Sequence, residues 1–192
     1  MVKLLSTGAL LLGLATAAGC GKSEASTGWV APELPNRPAR GKYLVTAIGC
    51  ADCHSPWKMT ANGPMPDPER FLSGHPEQVK VGPAPKPQGP WLASFFATNT
   101  AFAGPWGISF SANLTPDVNT GLGIWTEEMF LRAIREGRHM GQSRPIAPPM
   151  PWPAFRNLDD EDLKSIFAYL RTIKPICNHV PDYQPPVEPD EK

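Results

Sequence analysis

The sequence has no excess of charge of either sign. Its 192 residues include 18 lysines and arginines against 18 aspartates and glutamates, so the formal net charge is zero. Proteins that bind nucleic acid through its phosphates need a surplus of basic side chains, so nucleic-acid binding is not expected. Long apolar runs are scarce as well, and none beyond the N-terminus is long enough to cross a bilayer.

Cysteine is also rare, with four in the whole chain, which excludes a disulfide-rich framework. Two of them, Cys50 and Cys53, are followed at once by His54 in the motif C-x-x-C-H. Residues at this spacing lie about one helical turn apart, so both sulfurs can add across the two vinyl groups at one porphyrin edge. His54 is then the expected fifth iron ligand. The sequence therefore predicts one covalently bound haem c as the cofactor.

Two other uses of these cysteines remain open at this point. Cys50 and Cys53 could form a redox-active disulfide, although no βαβ pattern surrounds them. They could also bind zinc together with Cys177 and His179, which would supply four ligands of acceptable type. If Cys50 and Cys53 carry haem, Cys177 is either a buried thiol or pairs between chains.

The N-terminus is typical of an export signal. Lys3 precedes an apolar run at residues 4–18 that is too short to be read as a membrane span. The run ends on Ala17-Ala18-Gly19-Cys20, which looks like a lipoprotein processing site with alanine where leucine is usual. The chain is therefore expected to leave the cytoplasm.

These features predict the organisation of the first part of the chain. We expect a lipoprotein signal peptide at residues 1–19, a lipid on Cys20 and a flexible tether at residues 20–37. The protein would then lie on the periplasmic face of a bacterial membrane. Ordinary cleavage near Ala18 is the alternative and would leave a soluble periplasmic protein.

Three stretches have helical periodicity. The first begins near Pro38 and leads to the haem motif, and the second follows an N-cap at Thr126 and ends at Gly137. The third begins at Asp159, with Asp162 three residues later as a variant of the capping box.

Loops are expected to fill the intervals, because the chain has 24 prolines and 17 glycines. Residues 55–112 are predicted to form a long loop around the haem edge, with one short helix at residues 91–98. Residues 138–157 are too rich in proline for a helix and are expected to form a rigid extended loop around Met150. The tail from Pro181 is expected to be disordered.

The order of these features resembles the class I cytochrome c fold. In this sequence the order is a helix, C-x-x-C-H, a long loop, a helix, a proline-rich loop with a methionine, and a terminal helix. The resemblance covers roughly residues 40–173. Three motifs look like the cytochrome c subunits and domains found with bacterial membrane-bound dehydrogenases and respiratory chains: Ser111–Asp117, Gly123–Thr126 and Pro149–Trp152.

This resemblance implies an all-α fold of short helices around one covalently bound haem, with a long proline-rich loop insertion. The cytochrome domain would span residues 38–176, followed by a Pro- and acid-rich tail at residues 177–192. In the family the first and last helices cross near a glycine and an aromatic residue. Gly41 and Tyr169 are the matching positions here.

A methionine opposite His54 would stabilise ferrous iron and raise the reduction potential. Met150 is the expected sixth ligand, because it lies before the last helix, where the family places its ligand. Met140 is the second candidate. Trp125 and Arg138 are candidates for hydrogen bonds to the haem propionates, which attract charged or N–H donors. The remaining methionine and histidine candidates carry less weight: Met59, Met65, Met129, His75, His139 and His179.

The expected function is single-electron transfer outside the cytoplasm by a monohaem cytochrome with His/Met ligation. Such a protein is not an enzyme and needs no small-molecule substrate. Expected partners are redox proteins, namely a dehydrogenase, a respiratory complex or a terminal oxidase, and the membrane through the N-terminal lipid. The alternative is a haem enzyme or gas sensor whose sixth position is open or becomes open when Met150 is displaced.

Overall fold

The computed structural model of the protein describes residues 36–84 and 90–186. The signal peptide, Cys20 and most of the tether therefore lie outside the described residues. In the described ranges no helix is long and apolar enough to cross a membrane. The α-helices are α1 (Arg37–Ala47), α2 (Cys50–His54), α3 (Glu127–Glu136), α4 (Trp152–Phe155) and α5 (Asp160–Leu170). The strands are β1 (Trp57–Thr60), β2 (Gly63–Pro66), β3 (Ser94–Phe95), β4 (Ala101–Gly104) and β5 (Gly107–Phe110).

Helices α1 and α5 make the most extensive contact between helices in this part of the chain, and they cross at Gly41. A Cβ atom on Gly41 would overlap the carbonyl oxygen of Ser165 and lie 2.7 Å from Tyr169 Cβ. Glycine is therefore required for the two backbones to approach this closely. The predicted crossing of Gly41 and Tyr169 is confirmed.

The apolar faces of the helices meet in one hydrophobic core. Helix α3 starts and ends as predicted: the Thr126 hydroxyl accepts a hydrogen bond from the Met129 N–H at 3.1 Å, and Gly137 ends the helix with φ of 66°. The rings of Phe130 and Phe167 join α3 to α5 with centroids 5.3 Å apart. The buried apolar residues of this core, called the core cluster below, are Leu44, Val45, Leu72, Leu122, Phe130, Ile134, Leu163, Ile166, Phe167 and Leu170.

The predicted capping box of α5 is wrong, although the helix does begin after Asp159. The Asp159 side chain makes no capping hydrogen bond. Asp162 instead accepts two hydrogen bonds from the Arg40 guanidinium, at 2.9 and 3.0 Å. A bidentate ion pair between α5 and α1 is stronger than a local cap, so the tertiary contact takes the carboxylate.

The predicted fold of short helices is found only in part, because the segment after the haem motif contains strands and the domain is not all-α. Strands β1 and β2 form an antiparallel hairpin, and β3, β4 and β5 form a three-stranded antiparallel sheet. The short helix predicted at residues 91–98 is instead the region of strand β3. Short strands satisfy the backbone N–H and C=O groups of a long segment locally, which a structureless loop cannot do.

Two further regions are more ordered than predicted. The prediction that residues 138–157 contain no helix is wrong. They contain a 3₁₀ turn at His139–Gly141 and the one-turn helix α4, whose Pro153 lies in the first turn, where no N–H is needed. The tail does not become disordered at Pro181, because Gln184 pairs with Ile108 of β5 through bonds of 2.8 and 3.0 Å.

Candidate haem site

The C-x-x-C-H motif forms a separate helix, α2, immediately after α1. Gly49 joins the two helices with φ of 72°, a left-handed conformation that favours glycine. The carbonyl oxygen of Asp52 accepts hydrogen bonds from Trp57 Nε1 at 2.9 Å and from Asn99 Nδ2 at 2.8 Å. The motif is thus held by α1 on one side and by the inserted segment on the other.

The two motif cysteines are partly buried and are not joined in a disulfide. Cys50 packs against the core cluster. Burial raises the pKa of the Cys50 thiol to about 12, and burial also raises the pKa of Cys53. Surroundings that disfavour a thiolate suit uncharged thioether sulfurs better than zinc ligands, which are thiolates.

The zinc alternative finds no support in the described residues. Within residues 36–84 and 90–186, no three His, Cys, Asp or Glu side chains are gathered as metal ligands. Cys177 and His179 are both exposed, and the His179 backbone N–H donates to Glu77 Oε2 at 2.9 Å. The four residues of that alternative do not meet.

His54 is the buried end of α2, with 9% of its surface exposed. Its Nδ1 lies 2.8 Å from the carbonyl oxygen of Ala112, 58 residues further along the chain. Because a carbonyl can only accept, Nδ1 carries the proton and Nε2 keeps a free lone pair. Burial lowers the pKa of His54, which favours the neutral imidazole. This is the form in which histidine binds a metal ion.

The Ala112 carbonyl is a functional group that sequence reasoning missed. The sequence marks Ser111–Asp117 only as a motif shared with similar proteins. A backbone carbonyl has no side-chain signature, so its role becomes visible only when the fold brings Ala112 to His54.

Met150 is partly buried and packs against the same core cluster as Cys50 and Trp125. Three of the predicted site residues therefore pack against the same hydrophobic core. Met59 and Met65 lie on the β1–β2 hairpin and are 78% and 49% exposed, which makes them poor candidates for an axial ligand. Met129 lies on α3, and Met140 lies in the His139–Gly141 turn with φ of 54°.

His75 is a satisfied core histidine. Its ring is completely buried; Nδ1 lies 2.9 Å from Thr100 Oγ1 and Nε2 lies 3.0 Å from the Val79 carbonyl oxygen. Phe96 and Phe110 pack on the ring, with centroids 6.1 and 5.1 Å away. Both ring nitrogens are engaged, so His75 has no lone pair available for iron.

The two candidates for propionate binding have different surroundings. Trp125 contacts the core cluster and forms an edge-on contact with the ring of His139, with centroids 5.2 Å apart. Arg138 is exposed and donates from Nη1 to the Ser143 carbonyl at 3.1 Å. Trp125 therefore packs against the same core cluster as Cys50 and Met150, whereas Arg138 lies on the surface. Propionate binding by either residue stays a prediction.

The chain matches the family model of cytochrome c over residues 38–174 and therefore belongs to the cytochrome c family. A domain of this family carries covalently bound haem c, and residues 50–54 have the spacing for its attachment. The groups present fit that cofactor. Two uncharged thiols lie on one helical turn, a neutral imidazole follows with Nε2 free, and a thioether packs against the same apolar cluster.

Several curated relatives are cytochrome subunits of bacterial dehydrogenases. The fructose dehydrogenase cytochrome subunit of Gluconobacter japonicus is 31% identical over 158 residues, which are 81% of this chain and 26% of that protein. The cytochrome c subunit of the quinone alcohol dehydrogenase of Gluconobacter oxydans is 34% identical over 77% of this chain and 24% of its own length. The gluconate 2-dehydrogenase cytochrome c subunit of Pantoea cypripedii is 30% identical over 68% and 22%. The chain spans about a quarter of the length of these relatives.

Proposed function

We propose that this chain is an electron carrier that passes single electrons through one haem c. Cys50 and Cys53 form the thioether bonds, and His54 and Met150 are the axial ligands. The observation that carries the proposal is the 2.8 Å hydrogen bond between His54 Nδ1 and the Ala112 carbonyl, which leaves Nε2 free for iron. The cytochrome subunits among the relatives favour a carrier over a catalytic subunit.

Each of these residues has a distinct task in the proposed mechanism. One-electron chemistry is what haem supplies when it is bound. The Cys50 and Cys53 thioethers keep the cofactor attached in both redox states. The Ala112 carbonyl fixes the plane of the His54 ring and increases its basicity as a ligand. A Met150 thioether bound to the iron would favour the ferrous state, and the core cluster against which Met150 packs offers no polar group to compete with it.

Met150→Ala removes the proposed sixth ligand. We expect the ferric variant to lose its low-spin bands and its weak Fe–S charge-transfer band, and its reduction potential to fall, because the thioether favours ferrous iron. Visible spectroscopy and a potentiometric titration measure both effects. Met140→Ala is the control and should keep the band. Loss of the band in Met140→Ala but not in Met150→Ala would make Met140 the ligand. A high-spin spectrum of the wild-type protein would support an open sixth position.

We also propose that the chain is exported and anchored to the periplasmic face of the membrane by a lipid on Cys20. The support is the apolar run at residues 4–18 that ends on Ala17-Ala18-Gly19-Cys20. Cys20→Ser should therefore move the cytochrome from the membrane fraction to the soluble periplasmic fraction. Fractionation followed by haem staining measures this, and an unchanged distribution would contradict lipid anchoring.

The proposed partner is a redox protein, either a dehydrogenase like those of the relatives, a respiratory complex or a terminal oxidase. Three arginines support a partner with an acidic surface: Arg138, Arg144 and Arg156 are exposed and have no carboxylate within salt-bridge distance among the described residues. They flank Met150 in sequence. Elsewhere four arginines are paired with carboxylates: Arg37, Arg40, Arg132 and Arg135. Arg171 is exposed as well, but its guanidinium donates to the carbonyl oxygens of Leu122 and Gly123.

The three arginines form one surface. Arg138 lies opposite Pro145 in a β-bridge, and the His139 N–H donates to the Arg144 carbonyl at 2.9 Å. The Arg156 guanidinium lies 5.7 Å from the centre of the Trp152 ring, which packs directly on Gly137 next to Arg138. We call this set the arginine surface.

Changing all three residues of the arginine surface to glutamine should slow oxidation of the ferrous protein by ferricyanide by about tenfold at low salt. The anionic oxidant is attracted to a basic surface, and salt screens this attraction, so the variant should also lose most of the salt dependence. Stopped-flow mixing at two ionic strengths measures both. The control is Lys42→Gln, Lys80→Gln and Lys174→Gln together, which makes the same change in net charge elsewhere. Equal effects in the two triple variants would contradict the arginine surface.

A further inference from the structure

The segment that follows α5 is bonded to the residues around His54. At Ile176 the backbone N–H lies 3.1 Å from Thr115 Oγ1, and the carbonyl accepts a hydrogen bond from Asn113 Nδ2 at 2.8 Å. Two residues later, Asn178 is completely buried. Cys177, between them, is exposed. Ile176 and Asn178 thus anchor the segment on either side of the exposed Cys177.

The Asn178 side chain uses all of its hydrogen-bonding capacity. Its Nδ2 donates to the carbonyl oxygens of Ser73 at 2.7 Å and His75 at 2.9 Å. Its Oδ1 accepts from Arg70 Nη2 and from the backbone N–H of Glu77, both at 3.0 Å. A side-chain amide is the group that offers two donors and two acceptor lone pairs together. No other side chain of this size can replace it here.

The two carbonyls that Asn178 holds belong to a segment that lies against His54. Gly74, between them, donates its N–H to the His54 carbonyl at 2.7 Å, and the Leu72 N–H donates to Ser55 Oγ at 2.8 Å. Gly74 has φ of 77°, and a Cβ there would lie 2.7 Å from the Ala112 carbonyl carbon. Residues 72–75 therefore contact both partners of the His54–Ala112 hydrogen bond.

The same segment pairs with the stretch that contains Ala112. The Leu114 N–H donates to the Leu72 carbonyl at 2.9 Å, and the His75 N–H donates to the Ser111 carbonyl at 3.0 Å. These two bonds lie on either side of Ala112 in the sequence. The register of residues 72–75 therefore determines where the Ala112 carbonyl lies relative to His54.

We propose that Asn178 is a positioning residue for the axial histidine. By fixing the carbonyls of Ser73 and His75, it keeps residues 72–75 in register and holds the Ala112 carbonyl on His54 Nδ1. The proposal rests on the proposed axial role of His54. Without the amide, two buried carbonyls lose their donors, and the segment shifts to reach water because unpaired buried polar groups are costly.

The test is the exchange of the His54 Nδ1 proton with solvent, measured by NMR in the ferrous, haem-loaded protein. Asn178→Ala should accelerate this exchange about tenfold, because the hydrogen bond to Ala112 opens more often. In the ferric protein, the pattern of haem-methyl shifts should change as well, since it reports the orientation of the axial ligands. Both readouts report on the histidine itself, and a destabilised control separates them from a loss of overall stability.

Two control variants separate positioning from stability. Val45→Ala truncates a core side chain that is 1% exposed, so it destabilises the fold without removing a hydrogen bond of this network. Cys177→Ser changes the exposed neighbour of Asn178. Cys177→Ser should leave the haem-methyl pattern unchanged, and Val45→Ala gives the exchange rate that destabilisation alone produces. If Asn178→Ala yields no haem-loaded protein, Asn178→Asp keeps Oδ1 and loses Nδ2, and it should show the same two changes.

The proposal is overturned if exchange in the Asn178 variant is no faster than in Val45→Ala and its haem-methyl pattern equals that of the wild type. Asn178 would then stabilise the fold and nothing more. The axial role of His54 is read independently, from the hyperfine-shifted His54 signals of the wild-type protein. Their absence would overturn that role and, with it, the positioning role of Asn178.

Discussion

The site depends on a single backbone carbonyl, because the His54 ring is oriented by the Ala112 oxygen 2.8 Å from its Nδ1. The two residues are 58 positions apart, so the chain must leave the C-x-x-C-H helix, fold the inserted segment and return to the same place. The strands of that segment satisfy its backbone locally, and residues 72–75 bring its two ends together. A neutral imidazole with Nε2 free is the result.

Different interactions hold the two sides of α2. Helices α1, α3 and α5, with Leu72 and Leu122, supply the apolar core cluster, against which Cys50, Trp125 and Met150 pack. The His54 side is instead a network of buried polar groups, in which His54, Asn178 and Leu72 each bond to a distant segment. Buried networks of this kind favour a single arrangement of their side chains, because each hydrogen bond lost in an alternative arrangement costs free energy in a low dielectric. An axial histidine needs its ring orientation to be fixed in this way, whereas a thioether packed against apolar side chains does not.

Sequence reasoning found the parts of the fold that depend on local signals. The periodicity of α1, α3 and α5, the Thr126 cap and the Gly137 stop are all properties of neighbouring residues, and so is C-x-x-C-H. The failures arise where distant residues compete for the same group. The spacing of Asp159 and Asp162 predicts a local cap, but Asp162 binds Arg40. Nothing near Asn178 in the sequence indicates that its amide binds Ser73 and His75. Strands of two to four residues are also too short to show an alternating pattern.

The central claim is that Cys50 and Cys53 hold one haem c, and the tryptic peptide at residues 43–58 tests it directly, since Lys42 and Lys58 bound it. Mass spectrometry of this peptide, from protein expressed with an export and haem-attachment system, should show one haem bound through both cysteines and no unmodified form. Free thiols, or a disulfide between Cys50 and Cys53 in a colourless protein, would contradict the account.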